Sequence, residues 1–256
     1  VRLPIVVVGS LRAGGGGKTP VVEWLAREFP DAALLVHPTP DEQVLLDAEF
    51  PGRVFAHRSF LQAWKEAHRK GFGWAISDGG YQDPQLDLCR KILVWNEPLP
   101  RSTADLHPCG PWRELAEAAE RADLHLVRNG VDLPLGLDAM RYRWESSLSG
   151  ADSGQILLAC AVGKPQSVRD DLKALGHEIV AEHCPNDHCG FSSGRLRQLE
   201  EHHPGLPWVV TAKDLPRWPS SQRRHLVLFR RWIPENPGAL MEWVKQGRNP
   251  SESVFH

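Results

Sequence analysis

The chain has 256 residues, room for one large α/β domain or two small ones. Its 30 Lys and Arg stand against 32 Asp and Glu, a formal charge of −2, which removes the broad basic field that a nucleic-acid partner requires. No apolar run approaches the roughly 20 residues of a membrane-spanning helix, and five scattered cysteines without a signal peptide fit free thiols in a reducing cytosol.

The chain begins at Val1 rather than Met, so a missing upstream segment and an alternative start codon both fit. The first element is the apolar run Pro4-Ile5-Val6-Val7-Val8, a predicted buried strand. Gly14-Gly15-Gly16-Gly17-Lys18-Thr19 follows, and Pro20-Val21-Val22-Glu23-Trp24-Leu25 opens a helical pattern. Strand, glycine loop, Lys-Thr and helix is the context of a phosphate-binding P-loop. The glycines let the backbone approach a phosphate through dihedrals that a Cβ forbids. Lys18 would reach the terminal phosphates, and the Thr19 hydroxyl would ligate Mg²⁺. The full pattern has a glycine five residues before Gly17, and here that position is Arg12.

A second apolar run at 33–36 leads into His37-Pro38-Thr39-Pro40-Asp41-Glu42. Asp41 either caps a helix starting there or serves as a carboxylate that accepts a hydroxyl proton. A helical pattern at 59–68 precedes the run at 74–76 and Ser77-Asp78-Gly79-Gly80-Tyr81-Gln82-Asp83-Pro84. Asp78 is placed as the second Mg²⁺ anchor of a P-loop site, or as part of a turn built from Asp, Gly and Pro. Runs at 92–95 and 124–127 bracket the rigid turn His107-Pro108-Cys109-Gly110-Pro111 and a helical pattern at 112–122. Arg113 there holds an anion or is an ordinary helix-surface charge.

From 132 to 154 the pattern breaks into Pro, Gly, Ser and Asp. A second series follows, with strands at 156–160, 179–181, 208–211 and 226–229 and helices at 167–175, 194–202 and 238–246. Within it, Gly163-Lys164-Pro165 and Thr211-Ala212-Lys213-Asp214 end strands, and Lys213 is a candidate phosphate or nucleotide clamp. The loop Pro185-Asn186-Asp187-His188-Cys189 offers an acid–base pair, a phosphate contact, a loose zinc site or plain surface. The fold predicted is α/β, a P-loop NTPase-like, mostly parallel sheet flanked by helices with a second, smaller α/β lobe. The lobes are expected at 1–150, which binds nucleotide, and 151–256, which completes the cleft. Ligands should gather at the C-terminal ends of the strands.

Taken in order, these segments resemble the tetraacyldisaccharide 4′-kinases of lipid A synthesis. The family's VGNLTVGGTGKTP is similar to residues 8–20, VGSLRAGGGGKTP. Its GDE resembles Pro40-Asp41-Glu42, and its DDGFQHP resembles Asp78-Gly79-Gly80-Tyr81-Gln82-Asp83-Pro84. LPAGPLRE looks like the stretch from Leu106 to Glu114, GIGNP like residues 161–165, PDHH like Asn186-Asp187-His188-Cys189, and TEKD like Thr211-Ala212-Lys213-Asp214. The resemblance implies transfer of the γ-phosphate of ATP, with Mg²⁺, to the 4′-hydroxyl of a tetraacyl disaccharide 1-phosphate. It implies Asp41 as catalytic base helped by His188. Gly14, Gly15, Gly16, Gly17, Lys18, Thr19 and Lys213 would bind the nucleotide, Thr19, Asp78 and Glu42 the metal, and Gln82 and Arg113 the acceptor. A monomer, cytoplasmic and peripheral on the inner face of the bacterial membrane, is expected.

The departures fall at functional positions. Gly79 replaces a metal-shell Asp, Asp83 a His, Ala212 the Glu of TEKD and Gly16 the loop Thr; SRGYG before GDE is absent. The family's hydrophobic N-terminal helix has no counterpart in these residues. Glu42 or Asp83 could partly replace the lost carboxylate. The alternative is a degenerate P-loop module that binds ATP and regulates without efficient transfer. A lipid acceptor also needs an apolar landing area, for which Phe55, Phe60, Leu61 and Trp64 are the candidates.

Overall fold

The computed structural model describes residues 3–38, 40–98, 103–133, 137, 139–148, 154–186, 189–219 and 225–248. The chain divides into two compact units, Val1–Arg143 with Trp232–His256, and Trp144–Arg231.

In the first unit the parallel strands run in the order β3 (Val54–Ala56), β2 (Ala33–Val36), β4 (Ala75–Asp78), β1 (Ile5–Gly9), β5 (Arg90–Trp95), β6 (Leu124–Arg128) and the first half of β7 (Ala139–Leu148). β1 is therefore flanked on both edges, and its five residues are buried. Helix α1 (Lys18–Glu28) packs on β1 and β4. On the other face α3 (Phe60–Arg69) covers β2 and β3 and closes a core of Ile5, Val7, Leu35, Phe55, Phe60 and Trp64. The apolar runs that predict these strands lack alternation because helices cover both faces. Helix α2 (Pro40–Glu49) follows β2.

Three expectations need correction. The 132–154 stretch, expected to be irregular, contains the ten-residue strand β7. Its Arg and Glu residues hide an alternating pattern in which Tyr142 is buried while Arg143, Glu145 and Ser147 are exposed. The helix expected at 112–122 is only a short 3₁₀ turn, Ala116–Arg121, because Trp112 bridges to Arg12 and Leu106 instead. Finally, α6 (Pro237–Arg248), which lies in the range given to the second lobe, belongs to the first unit. It packs on β1, with the Arg90 guanidinium 4.0 Å from the centre of the Trp243 ring and donating to the Trp243 carbonyl at 2.8 Å.

The second unit orders its parallel strands β11 (His225–Pro234), β10 (Trp208–Thr211), β8 (Gln155–Ala159) and β9 (Glu178–His183). α4 (Pro165–Ala174) and α5 (Ser193–His202) pack on β9. One apolar cluster holds Leu157, Leu196 and Trp208, and a second holds Ile156, Leu158, Leu172 and Val209. Trp74, Trp95 and Trp208 bury their rings and donate their indole N–H to Asp31, His125 and Glu200, the usual arrangement for a buried indole. No helix among the described residues is long and apolar enough to cross a membrane.

Candidate active site

The glycine run is built as a cradle. Gly14, Gly15 and Gly17 have φ of 72°, 61° and 79°, the left-handed region that side chains with a Cβ avoid. A Cβ on Gly16 would overlap the Ser10 side chain, and one on Gly17 would overlap the Asn96 amide. Gly17 is the N-cap of α1 and Lys18 its first residue, so the loop delivers backbone N–H groups and the positive end of the helix to one place. The unusual Arg12 forms an ion pair with Glu97 across the loop, and the Ala13 N–H donates to the Pro111 carbonyl at 2.7 Å. These contacts fix the loop from the side.

Asp78 ends β4, directly opposite Val8 of β1. That register brings its carboxylate to the P-loop helix, and the Thr19 hydroxyl donates to Asp78 Oδ2 at 2.6 Å. A hydroxyl oxygen and a carboxylate oxygen this close are the hard donor set that Mg²⁺ takes. One turn along α1, Glu23 faces the same region. Burial first, then the charges of Glu49 and Asp78, push its carboxyl up to about 7 against the opposing pull of Arg27.

Gly79 and Gly80 follow with φ of 104° and 90°. The Gly79 N–H donates to the Val8 carbonyl at 2.9 Å, and the Ser77 hydroxyl to the Gly79 carbonyl at 2.9 Å. The loss of the family's second Asp thus coincides with a backbone that Asp rarely adopts. Tyr81 is buried under Gly9, and its hydroxyl donates to the Ala118 carbonyl at 2.6 Å.

Gln82 is central to a polar chain. Its amide donates to the Ser10 carbonyl at 3.3 Å and to Glu114 at 2.9 Å, and its carbonyl oxygen accepts from Arg113 at 3.4 Å. Arg121 donates to both Glu114 oxygens at 2.7 Å. The Arg113 backbone N–H donates to the Leu11 carbonyl at 2.7 Å. Gln82 and Arg113, drawn from motifs some thirty positions apart, therefore meet beside the P-loop.

Other expected residues stand differently. Asp41 and Glu42 lie at the start of α2, and their side chains are outside those described; His188 lies outside the described residues. In the second unit Lys213 sits on a 3₁₀ turn after β10. Its neighbour Asp214 is fully buried. It accepts from the Thr211 hydroxyl at 2.6 Å, the Ala161 N–H at 3.3 Å and Arg217 at 3.1 Å, so it braces the ends of β8 and β10. Among the described residues no three His, Cys, Asp or Glu side chains gather as a metal site. The apolar landing area expected at Phe55, Phe60, Leu61 and Trp64 is core: Phe55, Phe60 and Trp64 are buried and Leu61 packs against them. Sequence reasoning also missed Asn96, whose side chain lies against Gly17 and accepts from the Tyr142 hydroxyl at 2.5 Å. It follows β5 directly, so inspection of strand ends would have found it.

A model of the tetraacyldisaccharide-1-P 4′-kinase family matches residues 1–39 and 36–246. The tetraacyldisaccharide 4′-kinase of Rhodospirillum centenum is 29% identical over 86% of this chain and 76% of its own length. That of Vibrio cholerae serotype O1 is 25% identical over 97% of this chain and 83% of its own. Among solved structures, LpxK from Aquifex aeolicus in complex with ATP superposes with a TM-score of 0.68 at 19% identity, covering 97% of this chain and 90% of that one. That likeness is one of fold.

Proposed function

The chain belongs to the tetraacyldisaccharide-1-P 4′-kinase family, and from this we propose that it transfers the γ-phosphate of ATP to the 4′-hydroxyl of a tetraacyl disaccharide 1-phosphate in lipid A synthesis. The observation that carries the proposal is the Thr19–Asp78 pair at 2.6 Å beside the glycine cradle. Together they are the phosphate and metal half of a phosphotransferase site.

In this reading the N–H groups of residues 14–19 and the start of α1 hold the triphosphate, and Lys18 balances its terminal charge. Thr19 and Asp78, with Glu42, would hold Mg²⁺, which when bound neutralises charge on the phosphate oxygens. Asp41 accepts the proton of the acceptor hydroxyl, whose oxygen bonds to the γ-phosphorus as the bond to ADP breaks. His188 orients Asp41, Lys213 holds the nucleotide, and Gln82 and Arg113 hold the acceptor. Because Arg113 is tied to Gln82 and the Leu11 carbonyl, its position is coupled to the P-loop. The protein acts as a monomer in peripheral contact with the inner membrane surface, where its acceptor resides.

The test is incubation of the purified chain with γ-labelled ATP, Mg²⁺ and the disaccharide 1-phosphate in mixed micelles. Label should move to the glycolipid, and Asp41→Ala and Lys18→Ala should each lower the rate about 10²–10⁴-fold. Tight ATP binding without any transfer overturns the proposal and is the result that a regulatory module requires.

A further inference from the structure

β8 and β9 are parallel neighbours in the second unit, with Ala159 opposite His183. The next residue on each strand is a cysteine. The Cys160 N–H donates to the His183 carbonyl at 3.3 Å, and the two Sγ atoms lie 3.4 Å apart. Adjacent strands are about 4.8 Å apart, inside the roughly 4.4–6.8 Å that a disulfide allows between Cα atoms. Closing the sulfurs to about 2.05 Å therefore asks for side-chain rotation rather than backbone movement.

The two thiols have different surroundings. Cys160 is buried in the apolar cluster with Leu158 and Val168, whereas Cys184 is partly open. Arg169, gripped by Glu182 at 2.7 and 2.8 Å, brings a cation to this corner. The contact with Cys160 is the main influence holding the Cys184 thiol below its usual range; Arg169 adds to it, and burial and Glu182 oppose it. The same contact, with burial, pushes Cys160 up. One thiol is thus suited to attack and the other to resolve.

We propose that Cys160 and Cys184 are a redox-active dithiol that closes to an intramolecular disulfide, with Cys184 oxidised first and Cys160 resolving. With a peroxide as oxidant, the Cys184 thiolate attacks one peroxide oxygen. The O–O bond breaks, and a sulfenic acid and water are formed, the water taking up the thiol proton. Cys160 then attacks that sulfur. The S–S bond forms as the S–O bond breaks, and hydroxide leaves as a second water with the Cys160 proton. Two thiols lose two electrons, one peroxide gains them, and a dithiol reductant reverses the step. The closed bond clips the ends of β8 and β9 immediately before the segment that leads to His188.

The exposed Cys109 and Cys189 are reference thiols within the same molecule. The whole chain is treated with hydrogen peroxide, quenched with an alkylating agent and digested without reductant for mass spectrometry. A cross-linked Cys160–Cys184 peptide, lighter by two hydrogens than the sum of its halves, should form at least about tenfold faster than Cys109 or Cys189 oxidises. Dithiothreitol should reverse it. In Cys160→Ser, dimedone should trap a sulfenic acid at Cys184; in Cys184→Ser, Cys160 should stay reduced. If Cys160 and Cys184 both remain alkylatable after unfolding while Cys109 and Cys189 are fully oxidised, or if Cys184 bridges to Cys189 instead, the proposal is overturned. The mass measurement is independent of kinase activity.

Discussion

Glu23→Gln isolates the electrostatics around the P-loop helix. The folded protein raises this carboxyl from 4.5 to about 7, so between those values the folded state holds a proton that the unfolded state has released. Stability contributed by Glu23 must therefore be greatest below pH 4.5, fall as pH rises through that window, and reach its full penalty above about pH 7. A tenfold change in proton affinity is worth about 1.4 kcal/mol, so the rise sets a ceiling of about 3.5 kcal/mol. Because the side chain is 31% exposed, solvent screening reduces this to roughly 1–2 kcal/mol. Gln is neutral in both states and removes the dependence. Thermal unfolding of both proteins from pH 5 to 8.5, without nucleotide and with chelator, should show the variant gaining on the wild type as pH rises. The Tm difference should widen by roughly 2–6 °C, other titrating groups cancelling in the comparison. Parallel curves, or a gap that narrows towards pH 8, would refute the reasoning.

Gly17→Ala should weaken ATP binding at least about tenfold by calorimetry, since it adds left-handed strain of about 1–2 kcal/mol and displaces the Asn96 amide. Gly79→Asp, which restores the family's carboxylate by sequence, should not raise the transfer rate. It should lower stability by about 1–3 kcal/mol, because φ is 104° there; a gain in rate would show that the backbone readjusts freely. Asp214→Ala should destabilise by about 3–5 kcal/mol in denaturant melts, since it strips Arg217 and the Ala161 N–H of a shared partner in a buried site. A change below about 1 kcal/mol would remove Asp214 from its bracing role.

The parallel sheet was legible because its strands are short apolar runs punctuated by helices. β2 and β10 span the predicted runs, 33–36 and 208–211. β7 was not legible, because only Tyr142 is buried, and the charged Arg141, Arg143 and Glu145 break up its apolar residues. The destination of α6 was equally hidden, since sequence order says nothing about which unit the helix after β11 joins. At the site, the P-loop and Asp78 are local motifs at strand ends, and their pairing follows from the β1–β4 register. Asn96, Glu114 and the Arg12–Glu97 pair come from separate segments and meet only through tertiary packing. Arg12 in particular reads as a defect in the loop pattern until its partner is seen.

The strand that feeds the glycine loop is hydrogen-bonded along both edges and buried throughout. Amides in such a strand exchange with solvent only when the entire unit unfolds, which makes this strand the fixed hub of its fold. α2, with the proposed base, follows a strand nearer the sheet's rim. A lineage can therefore remodel the rim, and with it the choice of alcohol, while inheriting its grip on the triphosphate unchanged.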